Sequence, residues 1–491
     1  MSELLLRSGR LSEAGQPMDL LIRDGVIERI GADLYSSAES IDLDGRFVLP
    51  GLWDHHVHFD QWAQVSRRLD VSAAESAEHA TALVGDRLNS TSTDGPLVQG
   101  ELLVGYGFRD ALWPDTPHRD DLDAVSGTTP VVLVSGDLHC AWGNSAALAQ
   151  FGLGEHPTGL LLESEAMGIY GRLGEVAEEV LDQWAADAAA TAASRGLVGL
   201  LDLEAPWSID AWTRRVNQGN RSLRVACGVW TPKLEEAIAR RLQTGDVIPD
   251  TDGLVSMGPL KIITDGSLNT RTAYCHRPYP GLEESENPYG LLVVDPAELT
   301  ELMSRAARSG IESAIHAIGD HANSLALQAF ADSGARGSIE HAQLLTRGDL
   351  PRFAELSLVA SVQPEHAMDD RDVADRYWAG RTDRAFMLRS LLDAGAMIAL
   401  GSDAPVAPLD PWISIAAAVS HSRGGRPSWH PEQEITFDEA LEASTAGPVV
   451  EGAPADLVIV DLDAWGASAE QLRHLPVTAT VLGGRFTHDA L

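Results

Sequence analysis

The sequence predicts an α/β protein: an eight-stranded parallel (β/α)8 barrel with a small β-domain contributed by both ends of the chain. Three observations carry this. Eight apolar runs recur through the middle of the chain, with helical stretches between the later ones, the mark of parallel βα units. Short runs of period-two patterning, broken by turn residues, occupy both termini. The length, 491 residues, exceeds an ordinary domain but suits a barrel of about 250 residues with additions.

Taken in order, LLLRSG, DLLIRDGVIERIG and SIDLDGRFVLP alternate apolar and polar positions and break at RDG and LDG turns. ADLVIVDLD and TATVLGGRFTH, the latter with a Gly-Gly hairpin signal, repeat the pattern at the far end. The β-domain is therefore expected from residues 1–50 and 451–491, with the barrel between them at 51–450. Barrel strands are read in RFVLPGLWDHHVH, LVGLLDLE, RVACGVW, GPLKIITDG, ESAIHAIGD, GSIEHAQ, LVASVQPEH and MIALGSDAP. PAELTELMSRAARSG and ANSLALQAFADSG read as helices ending in glycine. Residues 60–190 separate the first two strands by far more than a βα connection needs. They hold helical pattern, a strand-like run TPVVLVSGDLHCAWGN and the glycine-rich TGLLLESEAMG, and are expected to form an insertion over the barrel mouth.

Composition narrows the function. Asp and Glu number 72 against 36 Lys and Arg, a formal charge of −36. Such a surface repels phosphate backbones and anionic membranes, so neither nucleic acid nor membrane is an expected partner. Three scattered cysteines support neither a disulfide framework nor a four-thiolate zinc site. No signal-peptide core or bilayer-length apolar run is present, so a soluble cytoplasmic protein is expected. Lys233 and Lys261 are the two lysines.

The predicted strand ends are rich in metal-capable groups. Strand alternation puts His56 and His58 on one face and His55 on the other. His316, His341 and Asp403 end three further strands, and Lys261 sits inside the apolar fourth, where a charge is costly unless neutralised, paired or modified. Each alone reads as an ordinary polar strand end. Together, four histidines, an aspartate and a lysine from five strands fall where a barrel gathers its active site. Imidazole and carboxylate donors suit zinc and related divalent ions. No G-x-S-x-G elbow is present, and Cys140 beside His139 reads as coincidence.

PGLWDHHVHF, GYGFRDALWP, LDAVSGTTPVVLVSGDLHCAWGNSAAL, KIITDGSLNTRTA, HAIGDHA, IEHAQ, SVQPEH and GSDAPV follow one another in an order that resembles the amidohydrolase superfamily. The branch it is most similar to contains N-substituted formamide deformylase. The resemblance implies a TIM-like barrel flanked by a β-sandwich of both termini, and a divalent metal cofactor, Zn2+ as one or two ions. It implies that His56 and His58 bind a more buried ion, that His316 and His341 bind a more exposed one, and that Asp403 ligates metal and holds the attacking water. Lys261 matches a position that becomes a carbamate in related enzymes. His139, Trp142 and Asn144 in the insertion, Arg271 and Tyr274 after strand four, and Gln363 and His366 after strand seven are candidates for substrate contact.

The expected activity is hydrolysis of an amide-type C–N bond of a small molecule, N-formyl or N-acyl, by a metal-activated water, with Asp403 as general base and then acid. Ester or cyclic-amide hydrolysis on the same metals is the alternative within enzymes, and a non-catalytic barrel scaffold the alternative outside them. A homo-oligomer is compatible with the sequence.

Overall fold

A computed structural model describes residues 3–37, 39–90, 98–99, 102–173, 176–205 and 207–491; positions 91–97, 100–101 and 174–175 of the predicted insertion lie outside the described residues. The eight middle runs form one parallel sheet: Leu52–Val57, Leu197–Asp202, Arg224–Trp230, Val255–Ile263, Ser313–Ala317, Gly337–His341, Val359–Val362 and Met397–Leu400. Each strand pairs with the next in sequence. The circle closes between first and last: Val57 bridges Ala404 in parallel, His58 N–H donates to the Ala404 carbonyl at 2.8 Å, and Asp403 N–H donates to the His56 carbonyl at 2.8 Å. The chain therefore folds as the predicted (β/α)8 barrel with additional sheets.

The helices follow local chemistry. Pro296–Arg308 starts where the Asp295 side chain accepts from Ala297 N–H at 2.9 Å, with proline in its first turn, and buries Leu299, Met303 and Ala306 at helical spacing. Asp320–Ser333 stops at Gly334, whose left-handed φ of +65° ends the hydrogen-bond ladder without a Cβ clash.

The two termini build two four-stranded sheets. Glu3–Gly9, Met18–Arg23, Val26–Gly31 and Glu39–Asp42 form the first; Phe47–Pro50, Leu457–Val460, Val477–Leu482 and Arg485–Asp489 form the second. Leu6, Leu20, Ile22, Val48, Leu457, Ile459 and Val481 pack together between them. The run RFVLPGLWDHHVH, read from sequence as one strand, is two. Phe47–Pro50 pairs antiparallel with Leu457–Val460, and Leu52–Val57 enters the barrel. Gly51 makes the switch: a Cβ there would lie 2.6 Å from the Val198 side chain and 3.0 Å from the Asp456 backbone. Only glycine passes that gap.

Between the first barrel strand and the helix Glu178–Ser194 the chain builds a further six-stranded sheet, including Leu102–Phe108, Val131–Ser135, Cys140–Gly143 and Leu160–Leu162. TPVVLVSGDLHCAWGN is thus an antiparallel hairpin rather than a single strand. Its alternation is regular. Leu103, Val131, Leu133 and Trp142 pack on one face, and Val104, Val132, Val134 and Ala141 on the other. Asp137, Leu138 and His139, at the hairpin turn, reach the cavity described next. Among the described residues no helix is long and apolar enough to cross a membrane.

Candidate active site

The C-terminal ends of the barrel strands open into a cavity of about 530 Å³. His56, His58, Lys261, His316, His341 and Asp403 all line it, so the structure brings the six predicted donors together, and His366 joins them. Asp403 is the hub. Its Oδ1 lies 3.5 Å from His56 Nε2 and 3.4 Å from His58 Nε2, and its Oδ2 lies 4.0 Å from His341 Nδ1 and 3.9 Å from His366 Nε2. Two sets of donor atoms therefore lie within 4.8 Å of one another: His56, His58, Asp403 and His341, His366, Asp403. His316 stands outside both sets, its ring centroid 4.5 Å from that of His341.

Backbone geometry places these groups. Alternation along Leu52–Val57 turns His56 and His58 into the cavity, and His55 does not line it. Asp403 adopts φ +55°, a left-handed conformation that aspartate tolerates better than most residues. Gly401 lets the first and eighth strands approach, since a Cβ there would meet both the His56 Cβ and its backbone nitrogen at 2.8 Å. Glu340 and His341 are adjacent, and strict alternation would send them to opposite faces. His341 has φ +73° and ends its strand, so Glu340 reaches His56 while the His341 ring also lies 5.0 Å from the His56 ring.

The electrostatics prepare the nitrogens. Burial would raise the Glu340 carboxyl, but its contact with His56 holds it below the usual carboxylate range. His56 Nδ1–H then donates to Glu340 Oε2 at 2.6 Å, and the Nε2 lone pair is left facing the cavity. His341 Nδ1–H donates in the same way to the Gln363 amide oxygen at 2.8 Å. Burial pulls His56, His316 and His341 below the usual imidazole value, towards the neutral form that ligates metals. Lys261 Nζ lies 3.2 Å from His56 Nε2, and burial lowers its pKa too. Burial raises and the surrounding imidazoles lower the Asp403 carboxyl, and the imidazoles win, so it stays ionised. Among the described residues, the buried His316 Nε2 and His366 Nε2 have no hydrogen-bond partner. Each such orphan costs about 1–3 kcal/mol. Imidazole nitrogens gathered around one carboxylate are a donor set that fits a divalent cation.

The remaining predicted residues divide. His139 lines the cavity. Burial alone would depress it, but its 2.9 Å contact with Glu163 pushes it up to about 9, so it is a cation at neutral pH. Glu163 accepts in turn from Thr270 at 2.8 Å and Thr272 at 2.7 Å. Trp142 and Asn144 do not line the cavity. Trp142 packs on Phe108, and Asn144 accepts from Val131 and Ala147 while donating to Ser126 and Thr129. Arg271, over the Tyr377 ring, and Tyr274, stacked on His321, also lie outside the lining.

Sequence reasoning passed over Glu340, for the alternation reason above, and Glu204. Glu204 ends the second barrel strand's run LVGLLDLE, lines the cavity and accepts from the Gln61 backbone at 3.0 Å and its side chain at 2.9 Å. Burial pushes it up to about 7. An acid at a barrel strand's C-terminal end was the available signal.

Comparison with known proteins agrees with this geometry. N-substituted formamide deformylase of Arthrobacter pascens is 26% identical over 507 residues, covering 92% of this chain and 90% of its own. Protein LONG AFTER FAR-RED 3 of Arabidopsis thaliana is 28% identical over 545 residues, covering 99% and 91%. The crystal structure of an uncharacterized metal-dependent hydrolase from Pyrococcus horikoshii OT3 shares the fold, with a TM-score of 0.77 at 24% identity, covering 96% of this chain and 99% of that one. The amidohydrolase family matches residues 39–488, nearly the whole length. A barrel with this donor set at its mouth and a match of that extent make the chain a member of the amidohydrolase family, a hydrolase acting on carbon–nitrogen bonds.

Proposed function

We propose that the chain hydrolyses an amide-type bond of a small molecule, an N-formyl or N-acyl group, at the Asp403 centre. The observation that carries this is one ionised carboxylate set between two groups of histidines in a cavity sized for a small ligand. His56, His58 and Asp403 would hold one divalent ion of the zinc type, and His341, His366 and the second Asp403 oxygen another, with His316 beside them. When bound, such an ion polarises the carbonyl under attack and lowers the pKa of the attacking water.

The chain's own groups do the rest. Asp403 accepts the proton of the attacking water and passes it to the departing nitrogen, acting first as base and then as acid. Glu340 holds the His56 ring in the tautomer that aims a lone pair at the centre, and Gln363 fixes the orientation of the His341 ring. His139 offers a cationic N–H to the oxygen that gains charge, while Glu163 fixes the ring from behind. Lys261 is kept towards the neutral amine, the form that takes up carbon dioxide, and as a carbamate it would add an anionic donor beside His56.

The test is hydrolysis of N-formyl and N-acyl amides by protein stripped with a chelator and then resupplied with zinc or manganese. Activity is expected to vanish and return. His56→Ala or Asp403→Asn is expected to lower turnover by about 10²-fold or more in folded protein, and wild-type rates in either variant would refute the assignment.

A further inference from the structure

The cavity wall holds a positive charge that no carboxylate among the described residues pairs with. Arg68 lies just beyond the helix Phe59–Val65, which starts at His58, and it lines the same cavity as the Asp403 centre. Its side-chain partner is the Gln64 amide oxygen at 3.5 Å, and among the described residues no carboxylate forms an ion pair with it. Burial lowers its pKa, opposed by Tyr170 and Tyr106 rather than by any acid. A guanidinium nevertheless stays protonated.

Three other arginines of the cavity wall and the core do take acid partners, in a chain with 72 carboxylates. Arg109, also on the cavity wall, reaches Asp369 at 2.9 Å. Arg215 is 1% exposed and takes Asp60 at 2.7 Å and Asp182 at 2.8 Å. Arg473 takes Glu365 at 2.8 Å. Arg68 is only partly buried, and a half-desolvated charge without a counter-ion gains when a ligand brings the anion. Val65, Met167, Tyr170 and Leu181 supply apolar lining to the same cavity. With Arg109 already neutralised, a single free guanidinium matches a single negative charge.

We infer that Arg68 binds a carboxylate carried by the substrate, so that the amide cleaved is a monoanion whose carboxylate and scissile group are joined by an apolar spacer. This rests on the amide-hydrolase reading above and narrows its substrate class.

The experiment compares two ligands that differ only in charge. Metal-loaded wild type, Arg68→Gln and Arg68→Lys are titrated calorimetrically with 4-aminobenzoate and 4-aminobenzamide, and assayed for hydrolysis of the corresponding N-formyl compounds. Charged hydrogen bonds of this kind give a preference of about 10- to 100-fold for the carboxylate in wild type, in binding and in kcat/KM. The ratio is expected to fall towards one in Arg68→Gln and to be partly kept in Arg68→Lys. Equal binding of the two ligands by wild type overturns the inference without any variant, as does an undiminished preference in Arg68→Gln. Charge-selective binding without hydrolysis would sink the catalytic reading and leave Arg68 in its role. Hydrolysis without charge preference would do the reverse.

Discussion

The terminal sheets and the barrel rim bury different kinds of group. Between the sheets, Leu6, Leu20, Val48, Leu457 and Val481 pack against one another, and the buried acid Asp19 is satisfied by Arg7 and by the backbone N–H groups of Ser8 and Leu34. At the rim, Asp54, His56, Lys261, Glu340, His341 and Asp403 are buried within one cluster, and His316 and His366 keep unpaired nitrogens. A region shaped for stability satisfies its polar groups internally. A region that leaves them unsatisfied at a cavity is prepared for something that arrives.

That contrast can be broken by substitution. Asp403→Asn is expected to lower kcat by about 10²- to 10⁴-fold with little change in melting temperature, read by paired kinetics and calorimetry. A matching loss of stability would make Asp403 a structural group. Leu457→Ala, in the terminal core, is expected to cost about 2–5 kcal/mol in denaturant unfolding and leave the turnover of folded protein unchanged.

The contrast also explains what was legible in the sequence. Periodicity exposed all eight barrel strands, and strand alternation correctly separated His56 and His58 from His55, because regular backbone obeys period two. It failed where the backbone leaves that regime. Glu340 was hidden because the left-handed turn at His341 lets neighbours share a site. His366, expected as a substrate contact rather than as a donor beside Asp403, lies within the helix Pro364–Tyr377, one turn past its strand. HCAWGN was read as cavity wall, yet its strand points Trp142 into the core of the inserted sheet while His139, at the turn, reaches the cavity. Leu102–Phe108 was hidden by its two glycines, which weaken a strand pattern.

Two smaller effects sharpen the comparison. His421 is a buried histidine away from the cavity, its Nδ1–H donating to the Trp429 carbonyl at 3.0 Å, and burial lowers it to about 4. The unfolded chain, with an ordinary value near 6.5, binds more protons between those limits. Stability is therefore complete above pH 6.5 and falls as pH drops towards 4, by at most about 3 kcal/mol. Denaturant midpoints across that window should flatten in His421→Gln, and an unchanged slope would remove His421 as the cause. Glu340→Gln keeps shape but removes the charge behind His56, and a loss of about 10- to 100-fold in metal affinity is expected from competition titrations. Unaltered affinity would mean that the ring needs no such partner.

The central claim is that the Asp403 cluster is a metal centre. Anomalous X-ray diffraction from catalytically active crystals tests it most directly. The account predicts a divalent-ion peak bonded to His56, His58 and Asp403 at about 2.0–2.2 Å. An enzyme that hydrolyses amides with no such peak among these residues would contradict it.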